Sequence, residues 1–204
     1  MLKSFSYIFF KRVFDITFSI IILFTFSPIF FIVSFLVKVS SPGPVFYKGV
    51  RVGRYRKPFR IFKFRSMYRN SDIFAGSTSK NDPRITKIGK FLRRYKIDEL
   101  PQFVNVLRGE MSVVGPRPEL KKYTDQYKGD ELLILNAKPG ITDFASLNFS
   151  NLNDLIDDVN PDLSYEKNIL KSKNLLRIKY VKNSSFFVDI KLIILTILKV
   201  VFKQ

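Results

Sequence analysis

Asp98 and Glu99 are adjacent carboxylates in a strongly basic neighbourhood, with Arg93 and Arg94 just before them and Arg117 beyond. A carboxylate in such company can hold a divalent cation, or attack phosphorus to give an acyl phosphate. The local pattern places the pair at the start of a helix. Leu100, Phe103, Val104 and Leu107 repeat at i, i+3, i+4 and i+7, Pro101 suits a first turn, and Gly109 suits a C-terminal stop. Asp98 stands where the N-cap belongs, and the free N–H groups of a helix start bind phosphate. The alternative is free of chemistry: an Asp cap followed by a first-turn Glu is what any helix N-terminus favours. The rest of the inventory narrows the choice. The chain has no Cys, His or Trp, which excludes a thiol nucleophile, an imidazole base, a disulfide and a Cys/His zinc site. Catalysis must run on carboxylates, hydroxyls, Lys, Arg and any hard metal ion the carboxylates hold.

The elements that must position these groups are legible from periodicity. Ile85, Ile88, Leu92 and Tyr95 fall on one face of a helix over 86–95. Val45 to Met67 alternates apolar with basic residues and is punctuated by Gly49 and Gly53, which reads as short strands. Ser41-Pro42-Gly43-Pro44 is a stiff turn ahead of them, and Tyr68 to Pro83 is a polar, mobile loop. Met111 to Pro118 reads as extended and Glu119 to Leu135 as helix; Lys138-Pro139-Gly140 is a turn, and 150–162 is an acidic loop.

Residues 13–37 carry a single charge, Asp15, and are broken in the middle by Ser27-Pro28. The run exceeds the roughly 18 residues that can cross a ~30 Å hydrocarbon core. Its flanks are basic on both sides, with Lys3, Lys11 and Arg12 before it and Lys38, Lys48 and Arg51 after, so both ends favour the cytoplasmic face. A central proline predicts a bend, with the Ser27 hydroxyl satisfying part of the freed backbone. A hairpin that dips into the membrane and returns fits this pattern; a straight or kinked single span is the alternative. A cleaved secretory signal does not fit, because the run is too long and no small-x-small site follows before Ser40-Ser41-Pro42. Phe186 to Phe202 is apolar, with Asp189, Lys191, Thr196, Lys199 and Lys203 within about half a turn of the helical wheel. This is a helix lying on a bilayer or covering the hairpin, or else a core helix. The net charge of +18, from 35 Lys and Arg against 17 Asp and Glu, attracts polyanions. Beside a membrane segment these are acidic lipid or phosphorylated substrates rather than nucleic acid.

Several motifs then occur in order: Lys11-Arg12-Val13-Phe14-Asp15, Ser41-Pro42-Gly43-Pro44-Val45-Phe46, Lys63-Phe64-Arg65-Ser66-Met67, Asp98-Glu99-Leu100-Pro101-Gln102, and Gly115-Pro116-Arg117-Pro118 after Val113 and Val114. From about Lys11 to its end the chain resembles the bacterial sugar transferases known as small monotopic phosphoglycosyl transferases. The resemblance implies a re-entrant helix broken at Ser27-Pro28, with both ends cytoplasmic. It also implies a reaction: a UDP-sugar, an N-acetylated or modified hexosamine, gives its phosphosugar to a polyprenol phosphate, with Mg²⁺ required and UMP released. By the same resemblance Asp98 is the nucleophile of a covalent intermediate and Glu99 assists through the metal or a proton transfer. Asp98 and Glu99 are then the metal-binding pair. Arg93 and Arg117 match arginines near the phosphates, where fixed donors stabilise developing charge. Lys63, Arg65 and Gln102 join the phosphate- and substrate-binding set. One stretch departs from the pattern: many members continue after Pro139-Gly140-Ile141-Thr142 with Gly and an aromatic-Gln-Val run, where this chain has Asp143-Phe144-Ala145-Ser146-Leu147.

The expectation is a helix-rich, mixed α/β, membrane-associated enzyme on the cytoplasmic face of the bacterial inner membrane. Residues 1–40 form the basic segment and re-entrant helix, 41–185 the catalytic domain, and 186–204 an amphipathic surface helix. Its partners are a UDP-sugar, undecaprenyl phosphate and anionic inner-leaflet lipid, with no nucleic acid. A membrane-tethered nucleic-acid binder is the non-enzymatic rival, but it leaves Asp98-Glu99 without a use and has no helix-turn-helix or zinc motif behind it. A scaffold that has lost catalysis is a second rival, and the intact acidic pair argues against it.

Overall fold

A computed structural model of the chain describes residues 4–69 and 76–202. Lys3, Lys203 and positions 70–75 of the expected polar loop lie outside the described residues. The molecule is a helix-rich α/β assembly of nine α-helices and four short strands among those residues.

Two helices, α1 (Phe5–Thr25) and α2 (Ser27–Ser40), meet at Phe26 with a bend of 62°. Pro28 lies in the first turn of α2, where a helix has no use for the missing N–H. The expected repair by the Ser27 hydroxyl is therefore unnecessary, and no side-chain cap forms. Instead the backbone bridges the joint itself, Phe26 N to Ile22 O at 2.9 Å and Phe30 N to Phe26 O at 3.0 Å. Among the described residues no single helix is long and apolar enough to cross a membrane, but the bent pair together is.

One face of each helix is committed to the protein. On α1, Phe14 and Phe18 stack and Phe18 meets Phe103, while buried Asp15 accepts from Val113 N (2.9 Å) and Ser112 Oγ (3.1 Å). On α2, Val33 and Val37 pack with Phe64 and Leu92. The other faces are bare and apolar, Phe24 being 81% exposed and Phe31 78%.

Next come β1 (Phe46–Val52) and β2 (Pro58–Phe64), an antiparallel hairpin with Gly49 opposite Ile61. Helix α3 (Lys87–Arg94) starts on a Thr86 cap that accepts from Gly89 N at 2.9 Å. Helix α4 (Gln102–Leu107) ends before Gly109, whose φ of +79° supplies the expected stop. Strands β3 (Ser112–Val114) and β4 (Gly140–Thr142) pair in parallel. The segment after β3 approaches β4 so closely that a Cβ on Gly115 would lie 2.4 Å from Lys138 O, and one on Gly140 would lie 2.0 Å from Gly115 N. Two glycines therefore fix where Pro116-Arg117 emerges.

The helix expected over 119–135 is broken. Helix α5 (Lys121–Thr124) stops early, Lys128 is extended, Gly129 takes φ +54°, and Gly129–Asn136 winds as 3₁₀. A positive φ in mid-segment is incompatible with one continuous α-helix. Short α6 (Phe144–Asn148) and α7 (Pro161–Tyr165) lead into α8 (Lys171–Asn183) and α9 (Phe186–Phe202). The main core draws Phe59, Ile61, Phe103, Val113, Tyr180 and Leu192 together under Phe14 and Phe18, so strands, α1 and α9 share one interior.

Helix α9 is amphipathic in an inverted sense. Three polar residues turn inward while Lys191 stays exposed: Asp189 accepts from Lys11 Nζ (2.6 Å) and Tyr180 OH (2.8 Å), Thr196 meets Thr142 at 2.7 Å, and Lys199 Nζ donates to Leu147 O at 2.9 Å. Outward lie Phe187 at 86% exposure, Ile194, Ile197, Leu198, Val201 and Phe202.

Candidate active site

Asp98 does not cap α4. Lys96 takes the left-handed conformation (φ 58°) directly after α3 and reverses the chain into a 3₁₀ turn, Ile97–Glu99. The helix proper starts a turn later, with Pro101 at its N-cap. The carboxylate pair thus sits on a tight corner between α3 and α4. Left-handed backbone at a non-glycine residue carries strain, and here it presents the pair.

Asp98 and Glu99 are 5% and 9% exposed, yet their surroundings differ. Both Glu99 oxygens are engaged. Lys63 Nζ donates to Oε1 at 2.8 Å, Arg117 Nη1 donates to Oε2 at 3.0 Å, and Arg117 Nη2 also bonds Oε1. This is the bidentate fork that suits guanidinium to carboxylate. Burial raises the pKa of Glu99, but Arg117 and Lys63 together outweigh it and hold it well below the usual range. Asp98 has the opposite balance. Burial pushes it up, Lys63 pulls it down, Glu99 pushes it up again, and Arg93 and Lys96 pull it down, leaving it raised. Its Oδ1 is buried and has no hydrogen-bond partner among the described residues. Two neighbouring carboxylates pushed in opposite directions is the pattern expected of groups with different roles.

Cations form the rim of this site. Lys63 and Arg117 keep 20% and 27% of their side chains exposed above the carboxylates, and Arg93 is half-buried within electrostatic reach of Asp98. Gln102, one turn after Asp98, is fully buried with neither amide atom satisfied. Unpartnered polar groups of this kind are costly to bury. Lys96, missed in the sequence, adds a cation beside the pair. Its only signal was proximity, two residues before Asp98.

Arg65 is elsewhere. Its guanidinium donates to Pro42 O (2.9 Å), Ser41 O (2.6 Å), Ser41 Oγ (3.1 Å) and Val37 O (3.1 Å), which closes the C-terminal end of α2. Gly43 (φ +130°) is required there, since a Cβ would lie 2.1 Å from Arg65 Nη1. Arg94 is exposed and leans over Tyr95.

For a divalent cation the donor set is small. No group of three or more acidic ligands gathers among the described residues. Asp98 Oδ1 offers one hard oxygen, and Mg²⁺ commonly takes one or two carboxylates with the rest from phosphate and water. Asp98 therefore fits such an ion, whereas Glu99 joins only by releasing an oxygen from Arg117 or Lys63.

A second charged cluster lies behind Arg117. The departing stretch at 143–147 folds inward: Asp143 is fully buried, caps α6 through Ser146 N (2.6 Å) and accepts Arg117 N at 3.2 Å. Arg177 of α8, also fully buried, bonds Glu119 at 2.6 Å. The sequence marked Asp143 only as the start of a departing stretch, and no feature of it marked Arg177 among 35 cations.

Comparison with known proteins matches this arrangement to a family. Over 194 residues the chain is 38% identical to the UDP-glucose:undecaprenyl-phosphate glucose-1-phosphate transferase of Escherichia coli, covering 93% of this chain and 39% of that protein. It is 36% identical over 201 residues to the UDP-N-acetylgalactosamine-undecaprenyl-phosphate N-acetylgalactosaminephosphotransferase of Aeromonas hydrophila, covering 97% and 45%. It is 39% identical to the uncharacterized sugar transferase EpsL of Bacillus subtilis, covering 95% of this chain and 88% of EpsL. The chain thus spans about two fifths of the length of its E. coli relative and most of the shorter one. With residues 6–203 matching the family as a whole, this chain belongs to the bacterial sugar transferases.

Proposed function

We propose that the chain is a membrane-bound phosphoglycosyl transferase that moves a sugar 1-phosphate from a UDP-sugar to undecaprenyl phosphate and so starts assembly of a surface glycan. The carrying observation is Asp98: a buried carboxylate with a free Oδ1, set under cations and beside a Glu whose charge is already compensated. The donor's diphosphate enters over Lys63, Arg93 and Arg117, which fix its oxygens without reorganisation. An Asp98 oxygen attacks the β-phosphorus, the bond from that phosphorus to the bridging oxygen breaks, and the oxygen leaves with UMP. The phosphosugar is then an acyl phosphate on Asp98. An oxygen of undecaprenyl phosphate attacks the same phosphorus and releases the carboxylate, giving the lipid diphosphate sugar. Glu99 positions Arg117 and Lys63 for the incoming diphosphate, and Gln102 supplies an amide to the donor. Asp98, joined by Glu99, would hold Mg²⁺, which would supply charge neutralisation at the diphosphate.

The apolar outer faces of α1, α2 and α9 enter the membrane, with α1–α2 as a re-entrant hairpin on the cytoplasmic side. The 62° bend and the protein-packed inner faces of both helices support this. A full-length chain in nanodiscs is offered UDP-glucose, UDP-N-acetylgalactosamine and other UDP-sugars with Mg²⁺. With one of them, UMP should appear in a burst of about one per site without polyprenol phosphate and continuously with it, and the peptide bearing Asp98 should carry a phosphosugar. Product formed only when both substrates are present, with no adduct, would rule out the covalent route. For topology, cysteines at Ser4 and Lys57 should both resist an impermeant thiol reagent in intact cells; labelling of one alone means a true span.

A further inference from the structure

We infer that Arg177, on α8, is a positioning residue for Arg117; the inference rests on the reading of Arg117 as a phosphate-binding arginine. Arg177 has no exposed surface. Its Nη2 bonds Glu119 at 2.6 Å, its Nη1 donates to Asn174 Oδ1 at 2.9 Å and Tyr127 OH at 3.4 Å, and its Nε lies 3.9 Å from Asp143 Oδ2. Glu119 and Asp143 flank Arg117 from two directions. Glu119 follows it by two residues and its backbone carbonyl accepts Val52 N at 3.0 Å. Asp143 Oδ2 accepts the Arg117 backbone N–H at 3.2 Å.

One cation is therefore hydrogen-bonded to Glu119 and within ion-pair range of Asp143, the two carboxylates that bracket the backbone of Arg117, while the Arg117 side chain reaches the other way to Glu99. Close contact of Gly115 with Gly140 fixes the start of the same segment. The chain of contacts runs from α8 through Asp143 and Glu119 to the Arg117 backbone, and from its guanidinium to the acidic pair. Removing the cation takes from Glu119 its 2.6 Å partner, leaving it Tyr165 and Lys173, and takes from the fully buried Asp143 its nearest side-chain cation. Protonation or movement relieves that loss, and either one alters the carboxylate acceptors on which the Arg117 segment rests. A donor displaced by about 1 Å can cost about 10²-fold in rate.

The test uses the full-length chain in nanodiscs, with active sites counted by the UMP burst. In Arg177→Met the amide of Arg117, followed by hydrogen exchange in the peptide spanning 115–120, should exchange at least tenfold faster. Turnover per counted site should fall about 10²-fold, with the KM for UDP-sugar changing much less than kcat. Arg177→Lys keeps the charge without the fork and should fall between the two. Ile178→Ala, a core change on the same helix, should lower stability without selective exchange at Arg117 or loss of kcat per site. If Arg177→Met does not fold, Arg177→Met/Glu119→Gln removes opposed charges together and is read in the same way. A folded Arg177 variant with Arg117 still protected and kcat unchanged would overturn the inference, as would equal effects from Ile178→Ala. Should wild type release no UMP with any sugar, the functional reading fails on its own, while the exchange comparison still decides the role of Arg177.

Discussion

The molecule contains two buried charge clusters that share the segment 115–119 and differ in how far their polar atoms are matched. Around Arg177 most charged and polar atoms are paired, the exception being Arg177 Nε, which lies 3.9 Å from Asp143 Oδ2 and has no hydrogen-bond partner among the described residues. Glu119 accepts from Arg177 and Tyr165, Lys173 Nζ donates to Tyr165 OH at 3.0 Å, and Arg177, Lys173 and Asp143 have almost no surface. Around Asp98 the count is left incomplete. Asp98 Oδ1 and the whole Gln102 amide lack partners, and the cations above them remain partly in solvent. A closed cluster holds geometry, and an open one can do work on something that arrives. The contrast separates the two roles more sharply than the charge of either site, because both are rich in the same residue types.

Four experiments would break or sharpen this contrast. The largest effect belongs to Asp98→Asn. The variant cannot form an acyl phosphate, so UMP release and adduct should vanish. Since Asp98 makes no cap and burial opposes its charge, thermal stability should hold or rise, as is common when a functional group is removed. An active Asp98→Asn enzyme, with deamidation excluded by mass spectrometry, would end the nucleophile assignment. Next, Arg117→Ala should reduce kcat about 10²–10³-fold, the usual loss for a fixed donor at developing charge. Arg117→Lys should recover little, because a point charge cannot replace the fork on Glu99.

In the closed cluster the loss should register on stability instead. Glu119→Ala leaves Arg177 facing Asp143 alone, and breaking a buried pair from one side costs about 3–5 kcal/mol. Denaturant melts in detergent should show that loss, with a smaller fall in turnover per folded site than at Arg117. The smallest effect is at Lys173. Burial, then Arg177, push its pKa down to about 7, against the pull of Glu119. The unfolded chain therefore binds more protons than the native one between about pH 7 and pH 10.5, so the Lys173 contribution makes stability rise with pH across that window. Comparing melts at pH 7 and pH 9 should show this rise in wild type and a weaker one in Lys173→Met. Equal slopes would mean that the ammonium is less enclosed than its 4% exposure indicates.

The open site was largely legible in the sequence because its chemistry is local. Asp98, Glu99 and Gln102 lie in one short run, and Lys63 and Arg117 sit in motifs of their own. The closed cluster was not, because Glu119 and Arg177 are 58 residues apart and neither belongs to a pattern. Arg65 shows how a shared motif misleads. The resemblance grouped Arg65 with Lys63 because the two stand in one motif, Lys63-Phe64-Arg65-Ser66-Met67. But β2 ends at Phe64, and past that point the long side chain is free to reach the carbonyls at the end of α2. The cap role of Asp98 failed for a related reason. The hydrophobic repeat located α4 correctly, but only the backbone of Lys96 shows that the helix begins a turn later. For α9 the wheel found the polar stripe, and the partners of Asp189 and Thr196 gave its direction.

Asp15 has a mechanical consequence. It ties α1 to Ser112 and Val113 of β3, and Arg12 clamps the carbonyls of Val106 and Leu107 at the end of α4. A helix rises about 1.5 Å per residue, so the stretch from Asp15 to Thr25 reaches about 15 Å, half of a ~30 Å hydrocarbon layer. With the hairpin lodged in a bilayer, these anchors act as a flange that sets its draught. The tip at Phe26 would reach the midplane and stop, because going deeper would drag the strand beside the catalytic corner into lipid.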